Sequence, residues 1–379
     1  MSEHERVAVV GGGIVGSSVA YHLARAGVET TLFDREDDGR ATDAGAGIVS
    51  AATSSKTDSE AWFELGVRAA DYYPELVDAL EAAGATDHGY AEADLLSVAF
   101  DDDELDPFER AKARSERRAD EYGAPEPGSF AEISPERARE LFPPLGDAER
   151  VVRYRDRGRV DGRRFAAALR EAGEREGLTV ERADVADLRI EESAVTGVAV
   201  DGDWRGFDAA VLAGGAWSGS FEATLDFAVP VEPQRGQIVH IDVDADTADW
   251  PIVSPFRHKY LVSWPDGRVA VGATREDGTG FAPHATVEGL HDVYGETLRI
   301  APGVADGTPR EVRVGLRPLS RDGLPLLGEV PGVEGAYLAT GHGPTGLTLG
   351  PYSGRLVAER VRGVETDADT SAFDPARFD

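Results

Sequence analysis

The apolar positions at the start of the chain change period twice. Val7 to Val10 is a continuous apolar run, Gly11-Gly12-Gly13-Ile14-Val15-Gly16 interrupts it, an Ala-rich stretch then reaches Gly27, and Thr31-Leu32-Phe33 ends on Asp34. Short apolar runs predict buried strands and the Ala-rich stretch predicts a helix. The order is therefore strand, glycine turn, helix, strand, terminal acid. Farther on, Trp62, Leu65, Ala69, Tyr72, Leu76 and Leu80 recur at helical spacing over 60–83, and Gly84 is placed to end that helix. The densely charged stretch 101–118, with Asp101-Asp102-Asp103 where acids suit a helix dipole, predicts a solvated helix, a surface element rather than part of a site.

Ser134-Pro135-Glu136 opens another short helix and 161–177 reads as an amphipathic one. A strand resumes at Leu178-Thr179-Val180, followed by a hairpin over 188–190 and 196–200. The buried run 207–213 breaks at Gly214-Gly215-Ala216-Trp217-Ser218, which looks like a return of the chain to the opening fold. Residues 229–275 alternate as strands do, at Ile238 to Ile241, Tyr260 to Val262 and Val269 to Gly272, and predict a largely antiparallel sheet in a second domain. A last strand, Ala336 to Thr340, runs into Gly341-His342-Gly343-Pro344-Thr345-Gly346 and a final helix over 347–361. There is no internal repeat, and low complexity is confined to the acidic tail after Gly363.

The opening segment has the chemistry of a dinucleotide site. Gly11 permits a sharp turn out of the strand, Gly13 lets backbone approach a pyrophosphate, and Gly16 lets helix pack on strand. The helix beginning near Ile14 offers free N–H groups and a positive dipole end to the diphosphate. Asp34 can accept from both hydroxyls of an adenosine ribose, whereas a 2′-phosphate would meet a like charge. FAD or NAD is thus favoured over NADP. The small-residue stretch from Gly39 to Ala52 would let backbone lie flat against a large planar ligand.

Composition narrows the classes. A chain of 379 residues with 41% hydrophobic positions predicts two domains or one large bipartite unit with a proper core. No apolar run approaches the roughly 20 residues that span a bilayer, and the first strand comes within a few residues, so neither a signal peptide nor a transmembrane segment is expected. Zero cysteines exclude disulfides, thiolate metal sites and a cysteinyl flavin link, and no metal site is expected. The net charge of −31, from 70 acidic and 39 basic residues, excludes general nucleic-acid binding by electrostatic repulsion. With three lysines (Lys56, Lys112, Lys259) and one methionine, the composition reads as that of a halophile's cytoplasmic protein, an archaeon's by this pattern.

Four separated segments then match one family. GGGIVGSSVAYHLARAG with Asp34, GRATDAGAGIV at 39–49, VLAGGAWS at 211–218, and VGLRPLSRDGLPLLG through GHGPTGLTLGPYSG at 314–354 resemble the FAD-dependent amino acid oxidoreductases that include glycine oxidase, sarcosine oxidase and the D-amino acid oxidases and dehydrogenases. RGQI at 235–238 and GRVAVGATRE at 267–276 fit as well. The resemblance implies an α/β fold with a Rossmann-like, glutathione-reductase-type FAD-binding domain and an inserted, mainly antiparallel α+β substrate domain. The FAD-binding domain would take 1–75, 150–225 and 322–379, and the substrate domain 76–149 and 226–321. FAD would be held noncovalently. Carried over by residue, Gly11, Gly13, Ile14, Val15, Gly16, Asp34 and Arg35 would hold the AMP half, with Val185 meeting the adenine through its backbone. Arg40, Ala41, Thr42, Gly45, Ala46, Gly47 and Ile48 would line the path to the flavin, and Gly214 and Trp217 would flank its middle. Gly341, His342, Gly343, Pro344, Thr345, Gly346, Leu347 and Thr348 would approach the pyrimidine edge, where a helix N-terminus favours the negative charge of reduction.

The same resemblance implies the reaction. Arg317 matches the family's carboxylate-binding arginine, next to the cofactor, a role that suits the planar guanidinium fork. Tyr260 matches an active-site tyrosine, and His342 lies close to the flavin. Hydride transfer from the α-carbon of a neutral amine would give an imino acid that water hydrolyses to an oxo acid, catalysed by orientation and flavin electronics. Two positions depart from the glycine oxidase pattern: Pro344 replaces an arginine, and Arg275 replaces an apolar residue beside the substrate, where the ordinary expectation is a salt bridge within the sheet and the alternative is contact with a second substrate carboxylate. Both argue against glycine itself. Oxygen, a quinone or a carrier would take the electrons, and an oligomer is compatible with the sequence. The alternatives are a carrier-linked dehydrogenase, a 2-hydroxy acid oxidoreductase that would need His342 as base, and a noncatalytic FAD-binding subunit of a complex.

Overall fold

The computed structural model describes residues 4–51, 53, 54, 59–257 and 259–379. Ala52, at the end of the small-residue stretch, and Lys56 lie outside them. The opening segment folds as its pattern predicts: strand Arg6–Val10, helix Ile14–Arg25, strand Glu29–Phe33. These strands are central in a six-stranded sheet that runs Leu326–Glu329, Ala336–Thr340, Ala209–Leu212, Arg6–Val10, Glu29–Phe33, Thr179–Glu181. All neighbours are parallel except Leu326–Glu329, which returns antiparallel. The continuous apolar runs follow from burial on both faces. The return at 207–213 is real, since Val211 sits beside Val9 in register.

Helices Ile14–Arg25, Glu60–Ala82, Gly162–Arg175 and Gly346–Val361 cover one face and bury the largest core, including Trp62, Tyr73, Phe165 and Leu356. The predicted stripe Trp62, Leu65, Ala69, Tyr72, Leu76, Leu80 is buried throughout. Small residues bring the first and last of these helices into contact: a β-carbon on Gly354 would lie 2.6 Å from Ser18, whose hydroxyl donates to the Pro351 carbonyl at 2.6 Å.

A nine-stranded sheet forms the second layer. In order it contains Thr308–Ser320, Val231–Asp242, Arg268–Gly272, Tyr260–Ser263, Ile252–Pro255, Tyr90–Ala99, Arg150–Val160 and Ile48–Val49, with Phe130–Ile133 paired to Arg150–Val160. It is antiparallel except where Ile252–Pro255 meets Tyr90–Ala99 in parallel. Two of its strands, Ile48–Val49 and Arg150–Val160, come from outside 76–149 and 226–321, because their ladder hydrogen bonds go to this sheet. The hairpin near 188–200 is a three-stranded meander, Val185–Glu191, Ala194–Val200 and Asp203–Gly206. Among the described residues no helix is long and apolar enough to cross a membrane.

Candidate active site

A cavity of about 780 Å³ runs between the two sheets. One end is the glycine turn. Gly11 has φ +105°, and a β-carbon there would meet the Ala213 carbonyl oxygen at 2.5 Å. Gly16 lies behind the cavity wall, where its missing β-carbon, 1.9 Å from the Gly11 oxygen, lets the helix close on the turn. Asp34 receives the Gly12 N–H at 2.9 Å and the Glu36 N–H at 2.7 Å, and its side chain faces the cavity. Arg40 bridges Asp34 at 3.2 Å and Asp43 at 2.7 Å. Arg35, also on the wall, pairs with Asp37 and Asp184 at 2.6 and 3.2 Å.

The next stretch is pressed flat, as its small residues require. Ile14 donates its N–H to the Thr42 hydroxyl at 3.0 Å. Gly47 has φ +88°, and a β-carbon there would lie 2.0 Å from the Val160 oxygen. Gly11, Gly13, Ile14, Val15, Ala41, Thr42, Gly45, Ala46, Gly47 and Ile48 line one wall, with Val185, Gly214 and Trp217 also on the cavity.

At the far end Gly341 turns the chain with φ +78°, outside the lining, into His342, Gly343, Pro344, Thr345, Gly346, Leu347 and Thr348, all on the cavity. The first N–H of Ile14–Arg25 is taken by Thr42, whereas the helix Gly346–Val361 starts without a side-chain cap. Thr348 anchors it by donating to the Ile48 carbonyl at 2.9 Å. His342 is 4% exposed, burial holds its pKa down at about 4, and among the described residues its Nε2 has no hydrogen-bond partner. Two helix N-termini at one elongated cavity, a cavity-facing acid at one end and backbone cleared by glycines between them suit a diphosphate-bridged flavin nucleotide.

The substrate-side residues predicted separately, Arg317, Tyr260 and Arg275, come together here. Arg317, on Thr308–Ser320, donates from Nη1 to the Thr274 carbonyl at 3.0 Å and to Gln234 Oε1 at 3.3 Å. Burial lowers its pKa, with Tyr260 acting in the opposite sense. Burial raises the Tyr260 pKa against the pull of Arg317 and Arg275.

One expectation fails. The helix read as surface, Asp102–Tyr122, turns Pro107, Arg110, Ala111, Arg114 and Ser115 to the cavity. Its outward faces carry the charge density that dominated the sequence. The signal was a sparse apolar stripe, Leu105, Phe108 and Ala111, of which Phe108 joins the core beneath the cavity. Ser97, Ser254 and Lys259 were also missed; they stand on strands or loops without any local motif.

The charges divide sharply along this cavity. Its acidic lining residues, Asp34, Asp37 and Asp184, stand at the nucleotide end. Arg110, Arg114, Lys259, Arg275 and Arg317 line the rest, and among the described residues only Lys259 of these five pairs with a carboxylate, Asp292 at 2.6 Å.

Comparison with known proteins agrees with this geometry. Residues 6–360 match the family model described as FAD dependent oxidoreductase, DAO. The chain is 39% identical over 370 residues to the uncharacterized oxidoreductase YurR of Bacillus subtilis, covering 97% of this chain and 98% of that protein. It is 32% identical over 378 residues to glycine oxidase of Pseudomonas aeruginosa, covering 98% and 99%. Among solved structures, iminodiacetate oxidase from Chelativorans sp. BNC1 superposes with a TM-score of 0.93 at 36% identity, covering 98% and 99%. Glycine oxidase from Geobacillus kaustophilus gives 0.88 at 26%, covering 100% and 99%. Matched to that family model over residues 6–360 and to a glycine oxidase at 32% identity over nearly its whole length, the chain belongs to the DAO family of FAD-dependent oxidoreductases.

Proposed function

We propose that this enzyme oxidises the α-carbon–nitrogen bond of a small amino acid or secondary amine that carries a carboxylate. The observation that carries this reading is the substrate end of the cavity, where four arginines stand without a carboxylate partner among the described residues in a chain of net charge −31. Arg317 and Arg114 are partly withdrawn from water, where an unpaired guanidinium is costly unless an anion joins it, and the exposed Arg275 and Arg110 add positive charge beside them. Arg317, held by a carbonyl and a glutamine, supplies a fixed fork for the substrate carboxylate, and Tyr260 adds a hydroxyl beside it. His342, neutral by burial, leaves proton removal from the amine to solvent. The flavin supplies the two-electron acceptor. The imino acid product would hydrolyse to an oxo acid, and oxygen, a quinone or a carrier would reoxidise the cofactor.

A second reading is favoured by Arg275, which lies near enough to Arg317 and Tyr260 to affect both. It would grip a second carboxylate, as an iminodiacetate-type substrate offers. Both readings are tested by anaerobic titration of the flavin absorbance with glycine, sarcosine, iminodiacetate, D- and L-amino acids and 2-hydroxy acids. Bleaching by amines alone supports the proposal, and selective bleaching by iminodiacetate supports the second reading. Bleaching only by hydroxy acids, or by nothing in the panel, overturns both. Admission of air to the reduced enzyme then tests oxygen as acceptor.

A further inference from the structure

The cavity continues past Tyr260. In the nine-stranded sheet Val253 faces Leu261, which sets Ser254 beside Tyr260, and Ser254 is in register with Ser97. Tyr260, Ser254 and Ser97 all line the cavity, so they form a hydroxyl-bearing floor across three strands, about 10 Å from the first to the third. The next strand carries Tyr154, whose hydroxyl meets Ser115 of helix Asp102–Tyr122 at 2.9 Å.

At that end stand Arg110 and Arg114. Four residues apart, they share one helix face. Neighbouring cations on the helix are paired, Lys112 with Glu132 at 2.9 Å and Arg117 with Glu121 at 3.7 Å. Arg110 and Arg114 have neither an ion pair nor a hydrogen bond among the described residues, and Nε of Arg114 is buried without a partner. Burial lowers the Arg114 pKa, with only Tyr154 opposing it. Arg110 is exposed at the cavity mouth, whereas Arg114 is partly desolvated, which is unfavourable for an unpaired cation in a chain with 70 acidic residues to offer. An anion bound between them removes that penalty and adds charge-assisted hydrogen bonds.

We propose that Arg110 and Arg114 form a second carboxylate station, so that the substrate is an elongated amine with carboxylates at both ends, one on Arg317 and one across the floor. This rests on the amine-oxidation reading above and specifies its substrate class. It differs from an iminodiacetate-type substrate, whose second carboxylate would stay beside Arg275.

The test compares N-carboxypentylglycine, whose extended chain crosses the floor, with N-hexylglycine, which has a methyl group in place of the distal carboxylate. The wild type is expected to show kcat/KM at least about tenfold higher for the dicarboxylate, and Arg114→Gln or Arg110→Gln to bring the ratio towards one. A ratio near one in the wild type, or an unchanged ratio in both variants, overturns the station. Calorimetric binding of azelate against nonanoate needs no turnover and decides the station even if no amine reduces the flavin, an outcome that would sink the amine reading. Tighter azelate binding that is lost in Arg114→Gln supports the station, and equal binding of the two acids overturns it.

Discussion

A β-carbon placed on Gly236 would lie 2.3 Å from Nη2 of Arg317 and 2.5 Å from its Cζ. The two residues stand on adjacent antiparallel strands, Gln234 opposite Arg317 and Gly236 opposite Gly315, so the guanidinium lies flat over the glycine. The clashing atoms are the free end of a long side chain. Gly236→Ala is therefore expected to fold and to retain FAD while moving the clamp. Its KM for a carboxylate-bearing amine should rise by about tenfold, with Tm nearly unchanged; a normal KM would show that this contact does not set the Arg317 position.

Arg317→Gln removes the charged fork itself. Hydrogen bonds to charged groups are worth about 1.5–3 kcal/mol each, so kcat/KM for amino acids should fall by at least about tenfold to a hundredfold. The comparison that matters is with an amine lacking a carboxylate, whose kcat/KM should change far less. Equal losses for both would assign Arg317 to the cofactor instead of the substrate.

Gly11→Ala tests the nucleotide end. Here φ is +105° and the clash is with backbone, the Ala213 oxygen at 2.5 Å, so no flexible atom can yield. Strain of this kind costs about 1–3 kcal/mol, and the turn proposed to meet the pyrophosphate must shift. The purified variant should carry much less flavin per chain than the wild type, measured by absorbance after denaturation.

The pH dependence follows from buried histidines. Burial holds His342 at about 4 and is also the main cause of His22 and His240 standing at about 3, against about 6.5 when unfolded. A depressed folded value means that the unfolded chain binds more protons between those limits. Their contribution to stability is complete above pH about 6.5 and is lost progressively as pH falls through the folded values. Tm should accordingly decline on acidification from pH about 6.5 to 4. In kinetics His342 stays neutral near pH 7, so His342→Gln should leave the shape of the pH profile for an amine substrate unchanged from about pH 5.5 to 8. A lost acidic limb would instead make it the base required by a hydroxy acid.

Charge makes a separate demand. Many of the ion pairs are exposed, such as Arg6 with Glu29 and Arg164 with Asp87, and exposed pairs contribute little. They do not offset the repulsion of a net −31, which salt screens to a length of about 3 Å at 1 M. Tm measured by calorimetry should be higher in about 2 M KCl than in about 0.05 M, and an equal or lower value would count against the halophilic reading.

The local elements of this protein were legible in its sequence because each rests on neighbouring residues. The strand–turn–helix at 7–27, the stripe from Trp62 to Leu80 and the helix after Gly346 depend on local period, glycine conformation and capping. The place of Asp34 at the end of the second strand was legible for the same reason, since it follows from the spacing. Long-range pairing lies outside that local information: the sequence did not disclose that Arg150–Val160 joins the second sheet, because its partners are at 90–99 and 48–49. The far end of the cavity was hidden on similar grounds. Arg110 and Arg114 sit among charges that look uniformly solvated, and only docking of Phe108 into the core turns one face of their helix inward. Which charges have partners, and which are left facing a cavity, is decided by distances between strands and helices remote in sequence. Only the tertiary structure contains those distances.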